Sequence, residues 1–211
     1  MLYNSSMEEK IQTIKNWLGT GSINIFGLPM SGKDTQGVRL AEALGAKLLS
    51  SGMIIREMEK ETKNFYSSSG ALIPTDVFYE WVLPYFGRED LKDSALVLSS
   101  IGRWFGEEDS VMQSAESAGH AIKAAVVLNV SEDDVRIRFD AAKALGDRGE
   151  RADDKDEATF EKRLEEFRVK TAPVLMHYQT LGLLVPVNGD QSREDVFNEI
   201  IEKLYIKALG H

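Results

Sequence analysis

The residues best placed to do chemistry are Gly27-Leu-Pro-Met-Ser-Gly32-Lys33, a loop between a short apolar run, Ile23–Phe26, and a polar stretch of helical periodicity beginning near Thr35. A loop of this shape aims several backbone N–H groups at one point, and the helix behind it adds the positive end of its dipole; both suit a phosphate. Lys33 supplies a point charge for the outer phosphates of a nucleoside triphosphate. The strict form of such a loop carries Ser or Thr directly after the lysine to hold Mg2+. Here Asp34 intervenes and the hydroxyl is that of Thr35. A carboxylate at a helix N-terminus suits the dipole but repels phosphate, so Asp34 is expected to turn away from a bound nucleotide. The competing reading of the same residues is a glycine-rich strand-to-helix turn with a solvated lysine.

Positioning such a loop requires a sheet. Apolar runs at Ile23–Phe26, Lys47–Ser51, Ala95–Leu98, Ala124–Val130 and Leu183–Val187 have the length and bounds of buried strands. Between them, helical spacing predicts Thr35–Leu44, Met53–Glu61, Thr75–Tyr85, Glu107–Ala118, Asp133–Leu145, Glu157–Leu181 and Arg193–Ala208. Short apolar strands alternating with helices indicate an α/β protein whose parallel sheet is covered on both faces. Met7, Ile11, Ile14 and Leu18 fall on one face of a further amphipathic helix, read as an N-terminal extension over residues 1–22 that packs on the main domain. Two segments interrupt the alternation and are the candidate moving parts: about 50–84, largely helical, and the charged run GDRGERADDKDE from Gly146 to Glu157.

The chain has 211 residues, 34 acidic against 25 basic, for a formal charge of -9. Nonspecific nucleic-acid binding wants a basic surface, so a nucleic-acid partner is not expected. The absence of cysteine excludes disulfides, thiolate zinc sites, iron–sulfur clusters and a cysteine nucleophile. No apolar run approaches the ~20 residues of a membrane-spanning helix, and the N-terminus lacks the layout of an export signal, so a cytoplasmic protein without a membrane partner is expected.

Gly27–Gln36, GLPMSGKDTQ, resembles the opening loop of the adenylate kinase and nucleoside monophosphate kinase family, GxPGxGKGTQ, which also places one residue between lysine and threonine. Asp34 replaces that family's usual glycine, and the similarity runs along nearly the whole chain after residue 22. The resemblance implies a three-layer α/β/α P-loop NTPase fold with a five-stranded parallel sheet over residues 23–211, a helical acceptor-binding insertion at about 50–84 and a short lid at about 141–151. It implies that Gly27, Met30, Ser31, Gly32, Lys33, Asp34 and Thr35 surround the phosphates of ATP.

On the acceptor side, Ser51-Gly-Met-Ile-Ile-Arg56 is similar to the family's TGDxLR, which implies that Ser51 and Arg56 contact the acceptor nucleotide. Gly70-Ala-Leu-Ile-Pro-Thr-Asp76 resembles GxLVPD, which implies that Ala71, Leu72 and Ile73 border its base. Plain core packing is the alternative for Leu72 and Ile73. Ser99-Ser100-Ile101-Gly102-Arg103 stands where the family has DGFPR, and Glu107 where it has an adenine-reading glutamine. By the same likeness Ser100 and Glu107 belong to the acceptor site, and Arg103 supplies the fork an acceptor phosphate calls for. Two carboxylates that help the family hold Mg2+ are replaced by Met53 and Ser99; Glu107, Glu108 and Asp109 are candidate substitutes, or simply the acidic first turn of a helix.

On the donor side, the resemblance places Arg138 against the donor adenine and Arg151 and Arg163 over the transferring group, while Val187-Asn-Gly-Asp-Gln191 is similar to a turn bordering that adenine. Ala142 replaces a lid arginine, and Arg148 is a candidate substitute. His177, within a stretch resembling T-x-P-L-x-x-Y-Y, reads as a packed or surface residue. The implied activity is Mg2+-dependent transfer of a phosphoryl group from ATP to a nucleoside monophosphate, with Lys33, Arg103, Arg151 and Arg163 as its catalytic cations. AMP is the favoured acceptor, because Ser51 fits it, and a monomer is expected. UMP/CMP-type or broad acceptor choice stays open because Glu107 matches neither pattern. A nucleotide-binding protein of impaired catalysis stays open because of Met53, Ser99 and Ala142.

Overall fold

The computed structural model describes residues 6–64, 66, 71–145 and 156–210. Five strands, β1 (Ser22–Gly27), β2 (Lys47–Ser50), β3 (Leu96–Ser99), β4 (Ile122–Asn129) and β5 (Leu184–Asn188), form one sheet in the order β2-β3-β1-β4-β5. Every neighbouring pair is parallel. Because all five run the same way, all five carboxyl ends open on one edge. β1 has β3 on one side and β4 on the other, and it is beside this central strand that the order reverses, which is where open α/β sheets bind ligands.

The helices are α1 (Met7–Leu18), α2 (Lys33–Leu44), α3 (Ser51–Thr62), α4 (Thr75–Trp81), α5 (Glu107–Ser117), α6 (Glu132–Leu145), α7 (Glu157–Glu166), α8 (Ala172–Thr180) and α9 (Arg193–Leu209). Local chemistry bounds them. Ser6 caps α1 in a reciprocal box with Glu9, while Asp156 and Ser192 cap α7 and α9. The predicted helix Thr75–Tyr85 is shorter as α-helix: after Trp81 it tightens into a 3-10 turn over Leu83–Gly87 that contains Pro84, whose missing N–H does not extend an α-helical ladder.

Alternation along the strands divides the core into two layers. Ile23, Ile25, Val97, Ala124, Val126, Val185 and Val187 face α1, α2 and α9. Phe26, Leu96, Leu98, Ala125 and Val127 face α3, α4, α5 and α8. α1 contributes Ile14 and Leu18 to the first layer, and its Lys10 pairs with Glu202 of α9. A third cluster joins α6 to α7, with Phe139 and Phe160 stacked at 4.1 Å between centroids. The predicted long helix Glu157–Leu181 is continuous but not regular: Phe167–Thr171 widens into a π-turn between α7 and α8. Pro173 in the first turn of α8 lacks the N–H that would continue the α-helical ladder across this point. Among the described residues, no helix is long and apolar enough to cross a membrane.

Candidate active site

Gly27 to Gly32 leaves β1 and turns into α2 with Met30 at φ 65° and Gly32, the residue preceding the helix, at φ 90°. A Cβ on Gly27 would stand 2.4 Å from Ser31 Oγ, so only glycine closes the loop over that side chain. Ser31 is itself 4% exposed and its hydroxyl has no hydrogen-bond partner. Lys33 is 8% exposed although charged, on the first residue of α2. Thr35 is exposed.

Asp34 stays close to the loop: the Ser99 hydroxyl, at the end of β3, donates to its Oδ1 at 2.8 Å, and its Oδ2 lies 3.6 Å from Lys33 Nζ. The helix start places residue 34 over the carboxyl end of the strand next to β1, and the serine offers the hydrogen bond that keeps it there.

Lys33, Arg103 and Arg163 line one cleft together with Gly27 and Leu72. Arg103 is mostly buried there, and burial, reinforced by the neighbouring Arg163, pulls its guanidinium down to about 10; Glu107, Asp34 and Glu166 act in the opposite sense. It is still cationic at neutral pH, and an arriving anion would relieve the repulsion between the two adjacent cations. Arg163 comes from α7, four residues before the π-turn begins at Phe167.

The segment carrying Arg103 is held from two sides that periodicity and motif spacing did not flag. Asn24, fully buried in the middle of β1, donates from Nδ2 to the Ile101 carbonyl at 2.8 Å and accepts from the Ile101 N–H at 3.3 Å. Thr171, in the π-turn, donates to the Arg103 carbonyl at 3.1 Å. Lys170 lies 3.9 Å above the Trp104 ring and pairs with Glu166 at 2.7 Å. Between the two anchors Gly102 takes φ 72°, where a Cβ would come within 2.9 Å of Val111 Cγ2. A lone polar residue inside an apolar strand was the one signal that could have marked Asn24.

Of the residues expected around the acceptor, Ser51 is buried and donates to the Ser100 carbonyl at 3.0 Å. Ser100, at φ 52°, donates its hydroxyl to Ile25 O at 3.2 Å. Arg56 folds back over Gly52 on the first turn of α3. Leu72 lines the cleft, Ala71 is half-buried, and Ile73 sinks into the core with Phe78 and Trp81, so its packing reading holds. Glu107 is 4% exposed; Thr75 Oγ1 donates to one oxygen at 3.0 Å and the Trp104 N–H to the other at 3.1 Å. Burial raises its pKa against those bonds.

Glu108 and Asp109 are not drawn to the phosphate loop. Glu108 accepts from the Gly106 N–H at 2.6 Å and lies 2.8 Å from His177 Nδ1; Asp109 is 3.9 Å from His177 Nε2. The Glu108 contact raises the pKa of His177. Of the residues expected at the donor base, Arg138 bridges two loops, donating to Ser31 O at 3.4 Å and to Gly189 O at 2.9 Å. Gln191 donates to Asn188 O at 3.0 Å and to Glu199, so its amide is engaged by its own turn. Arg148, Arg151 and most of the expected lid lie outside the described residues. Among the described residues, no group of three His, Cys, Asp or Glu side chains is arranged to hold a metal ion by itself.

No protein-family model matches the chain. Individual proteins do. It is 32% identical to an adenylate kinase of Bartonella bacilliformis over 193 residues, 85% of this chain and 99% of that one. It is 32% identical to adenylate kinase 1 of a Nostoc species, covering 83% of this chain and 94% of the relative, and 28% identical to an adenylate kinase of Bacillus velezensis, covering 85% and 96%. Agreement of this kind over the whole length of the relatives, on a five-stranded parallel sheet with a phosphate loop after its central strand, means that the chain belongs to the adenylate kinase family and is a phosphotransferase, a nucleoside monophosphate kinase.

Proposed function

We propose that the protein transfers the γ-phosphoryl group of ATP directly to AMP, giving two ADP, with Mg2+. The observation that carries this reading is the meeting of Lys33, Arg103 and Arg163 from three separate elements on the cleft beneath the phosphate loop. Phosphoryl transfer is mostly positioning plus neutralisation of charge spread over the equatorial oxygens, so converging cations in a largely water-excluded cleft are its principal machinery. Lys33 and the amides of Gly27 to Lys33 grip the donor phosphates. Arg103 and Arg56 hold the acceptor phosphate, with Ser51, Ser100, Ala71 and Leu72 framing the nucleoside. Arg163 neutralises the group in flight, joined by Arg151. Arg138 and the Asn188–Gln191 turn border the donor base. Mg2+ keeps several waters and is bound through one or two carboxylates plus substrate phosphates. Asp34 fits that requirement, as the carboxylate beside Lys33 at the loop. When bound, the ion would neutralise charge on the outer phosphates.

The acceptor base is the point on which a second reading rests. An ionised Glu107 only accepts hydrogen bonds, which suits an exocyclic amino group, and cytosine carries one as adenine does. The deciding experiment offers AMP, UMP, CMP and GMP with ATP, in Mg2+ and in EDTA, beside K33A. Rapid Mg2+-dependent ADP formation from AMP that is lost in K33A supports the proposal. Preference for CMP or UMP moves the substrate to the second reading, and absence of turnover with every acceptor overturns both.

A further inference from the structure

The carboxylate beside Lys33 poses an electrostatic problem. Asp34 is the second residue of α2, its side chain 38% exposed, with one oxygen 3.6 Å from the lysine that serves the phosphates. Its field also reaches Arg103, favouring the charged guanidinium. In that position it repels a naked triphosphate and offsets part of the attraction of both cations. The arrangement favours binding only if a cation accompanies the nucleotide. A hydrogen bond of 2.8 Å from Ser99, at the carboxyl end of β3, holds the carboxylate there. The strand register makes that contact direct, since Ser99 pairs with Ile25 of β1, two residues before the loop begins.

We infer that Asp34, oriented by Ser99, is the residue that couples metal to nucleotide: it accepts hydrogen bonds from the water shell of a divalent cation carried by the triphosphate. The strand end supplies only a hydroxyl, and the carboxylate reaches the same place from the neighbouring helix. Asp34 acts as an outer-shell acceptor and Ser99 as its positioning residue. The inference rests on the ATP-binding reading above.

The test is binding, not turnover. ATP affinity is measured by calorimetry for the wild-type chain, D34N, S99A and the double exchange D34S/S99D, each in Mg2+ and in EDTA. Mn2+ binding to each ATP complex is read by electron paramagnetic resonance. Asparagine keeps the shape and the bond from Ser99 while removing the charge. The expected result is that D34N binds ATP in EDTA as tightly as wild type or more so, while the gain in affinity on adding Mg2+ and the affinity for Mn2+ fall roughly ten- to hundred-fold. S99A should fall between, and D34S/S99D, which moves the carboxylate onto the strand, should regain most of the linkage. Equal weakening of ATP with and without metal, or an unchanged Mg2+ gain in D34N, overturns the inference and leaves the kinase reading standing if wild type still turns over AMP. Wild-type protein that neither binds ATP nor phosphorylates any acceptor overturns both.

Discussion

Replacing Asn24 by alanine tests whether the position of Arg103 is set from inside the sheet. Asn24 is fully buried and its side chain forms both hydrogen bonds to Ile101, at 2.8 Å and 3.3 Å. Ile101 is buried too, so the substitution strands one N–H and one C=O away from water. A buried polar group left unsatisfied costs about 1–3 kcal/mol, so N24A should lose roughly 2–6 kcal/mol of stability. In a domain of this size that lowers the melting temperature by roughly 5–20 °C. N24D sets a fully buried carboxylate against the Ile101 carbonyl and should be no more stable than N24A. Gly102 separates Ile101 from Arg103, so the guanidinium should also lose its register. A misplacement of about 1 Å at such a group costs on the order of 100-fold in rate. The assays are thermal unfolding and steady-state kinetics with AMP varied at saturating ATP, with R103A as reference. The reasoning is refuted if N24A melts within a degree or two of wild type. It is also refuted if stability falls while AMP kinetics stay unchanged and R103A alters them.

Three further expectations follow from separate parts of the molecule. Phe160, 1% exposed and stacked on Phe139, should cost about 3–5 kcal/mol when cut to alanine, read by urea unfolding, because α6 and α7 are joined through that cluster. His177 has its pKa raised by the hydrogen bond with Glu108, so the stability it contributes is present below its ordinary value near 6.5 and is lost as pH rises through the higher folded value. H177Q should therefore flatten the wild-type fall in melting temperature on the alkaline side of pH 6.5; parallel curves for the two proteins would sink the assignment. R103K should be far less active than wild type, with the larger part of the loss on the acceptor side, since an ammonium replaces a planar fork. A loss confined to the KM for ATP would contradict the acceptor role.

Much of the architecture was legible in the chain because it rests on local physics. Helices announce themselves by apolar spacing and by caps such as Ser6, Asp156 and Ser192. Buried parallel strands announce themselves as apolar runs such as Ala124–Leu128. The phosphate loop was legible because its chemistry depends on backbone shape, which glycine spacing encodes over seven residues. The resemblance then supplied roles for Arg103, Arg138 and Arg163 that no periodicity carries. The irregular places were not legible. The 3-10 turn after Trp81 and the π-turn before Ala172 arise where proline interrupts a hydrogen-bond ladder, and the amphipathic pattern passes through both undisturbed.

What only the tertiary structure decided concerns side chains whose partners lie far away in sequence. Asp34 read alone is an acid at a helix start, and Ser99 a lost carboxylate. That they meet at 2.8 Å depends on β3 lying beside β1 at a particular register, a choice made by the whole sheet. Asn24 is a single polar residue inside an apolar strand, and its partner, Ile101, lies 77 residues away. Glu108, adjacent to Glu107, was drawn instead to His177, because neighbouring residues on a helix point some 100° apart. Local sequence sets what each segment is, through hydrogen-bond geometry and apolar period. Which charges face one another is set only when segments pack, because a side chain's partner is fixed by strand order and register.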